Sequence, residues 1–231
     1  MGKWAVGVMV LLVLLATGWW GVQQLPPQYN PFAPLTLDEP PTALTRYKLR
    51  QLANQPQECA ALLAQAQARG MISWRAQTDT RGACPLKNVV RVTRFGTVRL
   101  SSSFLASCPL AVRSAMFIRR AAPQAEQIQG SALTQIDHVG SYACRNIYHR
   151  PEGRLSEHAT AEALDISGLR FANGQRITIE KGWRAPGKTS EVVKALFQQS
   201  CAFYGNALGP EYNAAHAGHF HLGVRGFGLC R

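Results

Sequence analysis

Residues Trp4 to Val22 read WAVGVMVLLVLLATGWWGV, 19 residues without a charge. At a rise of about 1.5 Å per residue, such a helix just reaches across a hydrocarbon core of roughly 30 Å. Trp4 at one end and Trp19 and Trp20 at the other sit where interfacial tryptophans belong. Lys3 precedes the run, and no Lys or Arg follows until Arg46. The positive-inside rule then predicts a cytoplasmic N-terminus with the rest of the chain outside. Residues 1–24 are therefore read as a single-pass membrane anchor, with the C-terminal part outside the cytoplasm. A cleaved signal peptide is the competing reading. Ala16-Thr17-Gly18 offers small residues for cleavage, but bulky Trp19 and Trp20 follow directly. Either way the chain leaves the cytoplasm.

The cysteines fit that compartment. There are six, Cys59, Cys84, Cys108, Cys144, Cys201 and Cys230, and none forms a Cys-x-x-Cys pair. An even count in an exported chain predicts disulfides rather than a zinc finger or a thioredoxin-like site. Six cysteines leave about 15 connectivities open to the sequence; of these the pairing expected here is Cys59–Cys84, Cys108–Cys144 and Cys201–Cys230. The 231 residues allow one ordinary domain after the anchor. The formal charge of +12 favours polyanionic surroundings. Its basic residues are scattered, as in Arg91, Arg94, Arg99, Arg113, Arg119 and Arg120, and no recognition helix accompanies them, so no nucleic-acid partner is expected.

Residues 25–43 carry six prolines, Pro26, Pro27, Pro31, Pro34, Pro40 and Pro41, and read as an extended linker or stalk. The folded domain is expected over 44–231. Helices are predicted over 58–68, 109–121 and 190–203, the last with Ser190 as N-cap. Val89 to Leu100 predicts a hairpin turning at Gly96-Thr97. Strands are predicted over 134–142, 163–167, 175–179 and 219–224. The sum is an α+β fold with a small antiparallel sheet and packed helices.

Two short stretches hold four of the six histidines: SEHATAEALD, from Ser156 to Asp165, and HAGHFH, from His216 to His221. On a strand, the period of two puts His219 and His221 on one face and Phe220 in the core. Adjacent imidazoles repel when protonated, and a bound cation removes that conflict. Asp165 lies between Leu164 and Ile166, and a carboxylate in such surroundings needs a partner or a metal. A His158/Asp165/His221 set leaves a fourth tetrahedral position open, the layout of a catalytic zinc site.

Ser-x-His-x-x-Ala-x-Ala-x-Asp followed by a distant His-x-His resembles the zinc-peptidase group of lysostaphin-type endopeptidases, D-Ala-D-Ala carboxypeptidases and murein endopeptidases. Together with Gly140-Ser141-Tyr142-Ala143-Cys144-Arg145, Leu208 to Asn213 and the final Cys230, the pattern resembles the bacterial extensin-like C-terminal domain family over roughly residues 55 to 231. The resemblance implies a murein-endopeptidase-like fold and Zn2+ held by His158, Asp165 and His221. It implies His219 as general base, His216 orienting water or substrate, and Arg145 steadying substrate or oxyanion. Ser156 would support the His158 loop and take part in substrate binding. The substrate class implied is the peptide stem or cross-link of peptidoglycan. The carboxypeptidase branch carries a Glu three residues before the last ligand, where this chain has Gly218, so the base falls to a histidine. Glu162 is a candidate stand-in, read as a structural loop residue. A non-catalytic peptidoglycan-binding or envelope-structural protein that keeps the metal-site fold is the alternative.

Overall fold

The computed structural model describes residues 2–231. In chain order the elements are α1 (Lys3–Gln23), α2 (Ala43–Gln51), α3 (Pro56–Ala68), β1 (Ser73–Ala76), β2 (Val89–Phe95), β3 (Val98–Ser107) and α4 (Cys108–Gln129). They continue with β4 (Leu133–Gly140), β5 (Ala163–Phe171), β6 (Arg176–Thr178), α5 (Ile179–Gly182), α6 (Lys188–Ser200), β7 (Asn206–Leu208), β8 (Phe220–Gly223) and β9 (Leu229–Cys230). The 21-residue α1 buries none of its side chains. Its length and composition suit a membrane anchor or a signal sequence alike.

The fold is α+β, but the sheet is neither small nor purely antiparallel. Among the described residues nine strands join in the order β1-β2-β3-β4-β5-β8-β7-β9, with β6 also paired to β5. The β3–β4 and β7–β9 pairs are parallel. The β3–β4 parallel pair needs a crossover, and α4 supplies it. Ser107 caps α4 by accepting the Leu110 N–H, and Gly130 closes it in the left-handed region at φ 71°. The expected stop at Ala121 underestimates this helix. Pro123 removes one intrahelical bond, yet the buried face continues through Ala125. One contiguous core packs α3, α4 and α6 against one face of the sheet. Helix α6 begins at Lys188 after Gly187, so Ser190 lies inside it and is not the cap.

The pairing of two disulfides also differs from expectation. The bonds are Cys59–Cys108, Cys84–Cys144 and Cys201–Cys230, so only the last matches. Joining neighbours in sequence favours short loops, but packing decides. Helix α3 lies against α4 and brings Cys59 within 6.1 Å (Cα–Cα) of Cys108. The loop before β2 reaches the segment after β4, where Cys84 meets Cys144 at 5.6 Å and the Tyr142 hydroxyl donates to the Cys84 carbonyl.

The Pro-rich stretch is not free along its whole length. Leu35 and Leu37 are buried in the main core. Glu39 is buried too; it pairs with Lys48 at 3.1 Å and accepts the Thr36 N–H. Packing therefore begins ahead of Leu44. Leu37→Ala should cost about 2–5 kcal/mol of stability, the range for a buried leucine. Denaturant unfolding of the variant checks this; an unchanged midpoint would show that the segment contributes nothing to the folded domain.

Candidate functional site

Strand register builds the site. In the antiparallel β5–β8 pair, Leu164 faces Leu222, Asp165 faces His221 and Ile166 faces Phe220. Leu164, Ile166, Phe220 and Leu222 go into the core, so alternation sends Asp165 and His221 together to the opposite face. On the other side of β5, Gly140 is paired with Asp165. Its φ of 124° belongs to glycine, and it turns the chain so that Ser141 follows beneath the site.

His158 arrives on a short 3-10 turn, Glu157–Thr160. The Ser156 hydroxyl accepts the His158 N–H at 3.3 Å and caps that turn. Ala161, left-handed at φ 53°, ends it and feeds the chain into β5. The His158 ring has a fixed tautomer. Its Nδ1 lies 3.1 Å from the Ser141 carbonyl, which can only accept, so Nδ1 carries the proton. Nε2 then faces the site, donating to Asp165 when it carries a proton and offering its lone pair to a cation when it does not.

Two further polar atoms stand close to Nε2. His158 Nε2 is 3.2 Å from Asp165 Oδ2 and 3.2 Å from His221 Nδ1. His221 Nδ1 is 3.0 Å from Asp165 Oδ1. One atom from each of the three residues lies within 4.8 Å of the other two. A tetrahedral centre with bonds of about 2.0–2.1 Å spaces its ligand atoms about 3.3 Å apart. The donor set and its separations thus fit a divalent cation such as zinc, with two nitrogens and one carboxylate.

A proton on His221 balances the cluster when no cation does. Burial disfavours the His221 imidazolium, but hydrogen bonds to Asp165 and Glu157 outweigh it and raise its pKa to about 9. Burial likewise works against the Asp165 carboxylate, and the His158 and His221 hydrogen bonds overcome it, holding the group well below the usual carboxylate range.

Glu157 is a site residue that the motif does not single out. Its Oε2 lies 3.3 Å from His221 Nε2, behind the atom that faces Asp165. Asn206 Nδ2 donates to the same oxygen at 2.8 Å, and the Arg225 N–H donates to Oε1 at 2.7 Å. Burial would raise this carboxyl, and the bonds from His221, Asn206 and Arg225 bring it below its ordinary value. A carboxylate that orients a metal-binding imidazole from behind is a common supporting arrangement. A Cβ at Gly223 would come within 2.4 Å of Glu157 Oε2, so the glycine makes room for that carboxylate. Glu162 is held at the edge. It pairs with Arg225 Nε at 2.7 Å and accepts from the Thr160 hydroxyl.

His219 precedes β8 rather than lying in it. Its Nε2 is 3.7 Å from Asp165 Oδ2, and its side chain is 20% exposed against 6% for His158. Burial lowers its pKa, and the neighbouring His221 and His158 add to that against the pull of Asp165. His216 stands on the turn Ala214–His216, with Nδ1 2.7 Å from Asn213 Oδ1 and its ring 5.4 Å from that of His219. Burial and the nearby His221 and His219 push its pKa down to about 4. Ser156 acts on the His158 turn through its capping bond, and it is buried. The Arg145 carbonyl accepts the Ser156 N–H at 3.0 Å, so its backbone braces the loop. Its guanidinium makes no hydrogen bond or ion pair to the cluster among the described residues.

Two outcomes follow for metal uptake. His221 must shed a proton before Nδ1 can bind a cation, and its pKa in the metal-free protein is about 9. Apparent zinc affinity should therefore rise about tenfold per pH unit toward pH 9 and level off above it. Calorimetry in buffers of different ionisation enthalpy reads the released proton; zinc uptake without proton release contradicts the linkage. Glu157→Gln keeps the shape but weakens the hold on His221, and should lower zinc affinity by about 10–100-fold. Competition with a chromophoric chelator measures it, and an unchanged affinity would remove Glu157 from the site.

No curated protein and no solved structure matches this chain. A sequence model described as extensin-like protein C-terminus matches residues 57–231, three quarters of the chain and all of the site. The chain belongs to the extensin-like C-terminal family.

Proposed function

We propose that this protein is a zinc-dependent peptidase of the periplasmic face of the inner membrane, acting on the stem or cross-link peptides of peptidoglycan. The observation that carries the reading is the convergence of His158 Nε2, Asp165 and His221 Nδ1 at separations of 3.0–3.2 Å, with two further histidines on the more open side. A three-residue donor set leaves a position for water or a carbonyl oxygen, as catalytic rather than structural zinc sites do. The compartment and substrate class rest on the apolar α1, the three disulfides, the basic charge, and the likeness of the motif to murein endopeptidases and related zinc peptidases.

In such a site zinc supplies Lewis acidity, which makes a water nucleophilic near neutral pH. The chain's own residues supply the rest. Burial keeps the His219 imidazole neutral at neutral pH, so it can take a proton from the attacking water and later pass it to the leaving amine. His216, also neutral, orients water or substrate at the rim. The Gly218 position, where the carboxypeptidase branch has its glutamate, has nothing within 4 Å of where a Cβ would stand. No carboxylate is held there, and proton transfer is left to the histidines. Arg145 is assigned to substrate or oxyanion by its place in the motif, which requires its guanidinium to swing toward the cluster when substrate binds.

The empty Gly218 position also favours the second reading, a domain that keeps the metal and grips peptidoglycan without cutting it. Digestion of purified muropeptides separates the two. His221→Ala should abolish both zinc retention and cleavage. His219→Ala should retain zinc and lower kcat by about 100-fold or more, the usual size of a general-base contribution. If the wild-type protein holds zinc and cuts no muropeptide, the binding reading replaces the peptidase. If His219→Ala cuts as well as wild type, His219 is not the base.

A further inference from the structure

A second constellation, on residues outside the His158/Asp165/His221 cluster, serves none of the chemistry above. Arg113, on α4, is only 1% exposed. One terminal nitrogen donates to the Phe203 carbonyl, while Nε and Nη2 have no partner. Leaving two donors of a buried guanidinium unpaired is costly, and such groups call for a ligand. Burial, with the Arg50 charge nearby, pushes the Arg113 pKa down to about 10, against the opposing influence of Tyr204 and Glu157. Even so, the group remains a cation at neutral pH.

Arg113 stands at the wall of a recess. It lines a cavity of about 140 Å³ together with Arg46 and Arg50 from α2, Tyr204 and the 226–228 loop. That volume is several times the roughly 30 Å³ share of one water. No carboxylate lines it, so three guanidinium groups share one recess without an internal counter-ion. The Arg50 guanidinium lies 5.7 Å from the ring of Phe227, which projects from the rim and is 93% exposed. The Tyr204 hydroxyl is engaged with Ser114 Oγ at 2.9 Å, which leaves the arginines as the principal donors.

We propose that this recess is an oxyanion site that takes a phosphate group, with Arg113 as the buried anchor and Arg46 and Arg50 closing over the ligand. Guanidinium forks match the geometry of phosphate oxygens, and three of them suit a dianion better than a single carboxylate. Free inorganic phosphate and a phospholipid headgroup share this chemistry. The site stands on residues separate from His158, Asp165 and His221, so its test is independent of metal binding and of peptidase activity.

The test titrates the full-length protein, in an uncharged detergent, with inorganic phosphate and separately with glycerol 1-phosphate, followed by calorimetry at fixed ionic strength. Saturable binding is expected, weakened about tenfold or more in Arg50→Gln and in Arg113→Gln. Arg81→Gln, at an exposed position outside the cavity, should bind as wild type. Arg50 is at the surface, so Arg50→Gln keeps the test open if Arg113→Gln fails to fold. Tighter binding of glycerol 1-phosphate than of phosphate assigns the site to a lipid headgroup; equal or weaker binding assigns it to free phosphate. Absence of saturable binding by either probe, or binding unchanged in Arg50→Gln and in a folded Arg113→Gln, overturns the proposal.

Discussion

The site depends on one cross-strand pair. Asp165 and His221 stand opposite each other because Leu164 and Ile166 on β5 and Phe220 and Leu222 on β8 share the core face. A one-residue slip would expose those four side chains at about 1.5–3 kcal/mol each and carry Asp165 and His221 into the core. Hydrophobic burial therefore fixes the alignment of two polar groups that would be costly anywhere else. Everything nearby answers the charge they create. His158 turns Nδ1 outward to Ser141 and Nε2 inward to the site, and His221 carries the balancing proton in the metal-free protein.

Behind that pair a second layer restricts motion. Glu157 holds the far nitrogen of His221 and is itself held by Asn206 and the Arg225 N–H. Arg225 also clamps Glu162 and Thr160, so the turn that carries His158 is tied to the segment after β8. The cap from Ser156 and the Cys84–Cys144 bond brace the same turn region from the other side. Preorganisation of this kind is what a site needs if it is to bind a cation without rearranging.

The first layer was legible in the sequence because it depends on local period. Two strand segments, each with an ionisable residue set among apolar neighbours, announce Asp165 and His221. Proximity of His158 to Asp165 along the chain adds the third member. Glu157 is not legible in the sequence, although it adjoins His158, because its partners Asn206 and Arg225 come from 49 and 68 residues away. The disulfides failed for a related reason. Choosing sequence neighbours ignores helix packing, and α3 against α4 selects Cys108 for Cys59. Arg113 lay hidden because an arginine in an otherwise amphipathic helix reads as surface, whereas here it is buried with donors to spare. The size of the sheet was underestimated because short strands such as β7 and β9 carry no alternation of their own and exist only by pairing.

Membership of the extensin-like C-terminal family covers the whole cluster, and the geometry gives the family motif a physical meaning: two strands and a capped turn converging on a cation-sized gap. The proposed zinc is the centre of the account. X-ray absorption at the zinc edge of the metal-loaded protein tests it most directly. The account predicts a four-coordinate zinc with imidazole scattering and light oxygen or nitrogen neighbours at about 2.0–2.1 Å, lost in Asp165→Asn. Sulfur scattering, a six-coordinate oxygen shell, or a spectrum unchanged in that variant would contradict it.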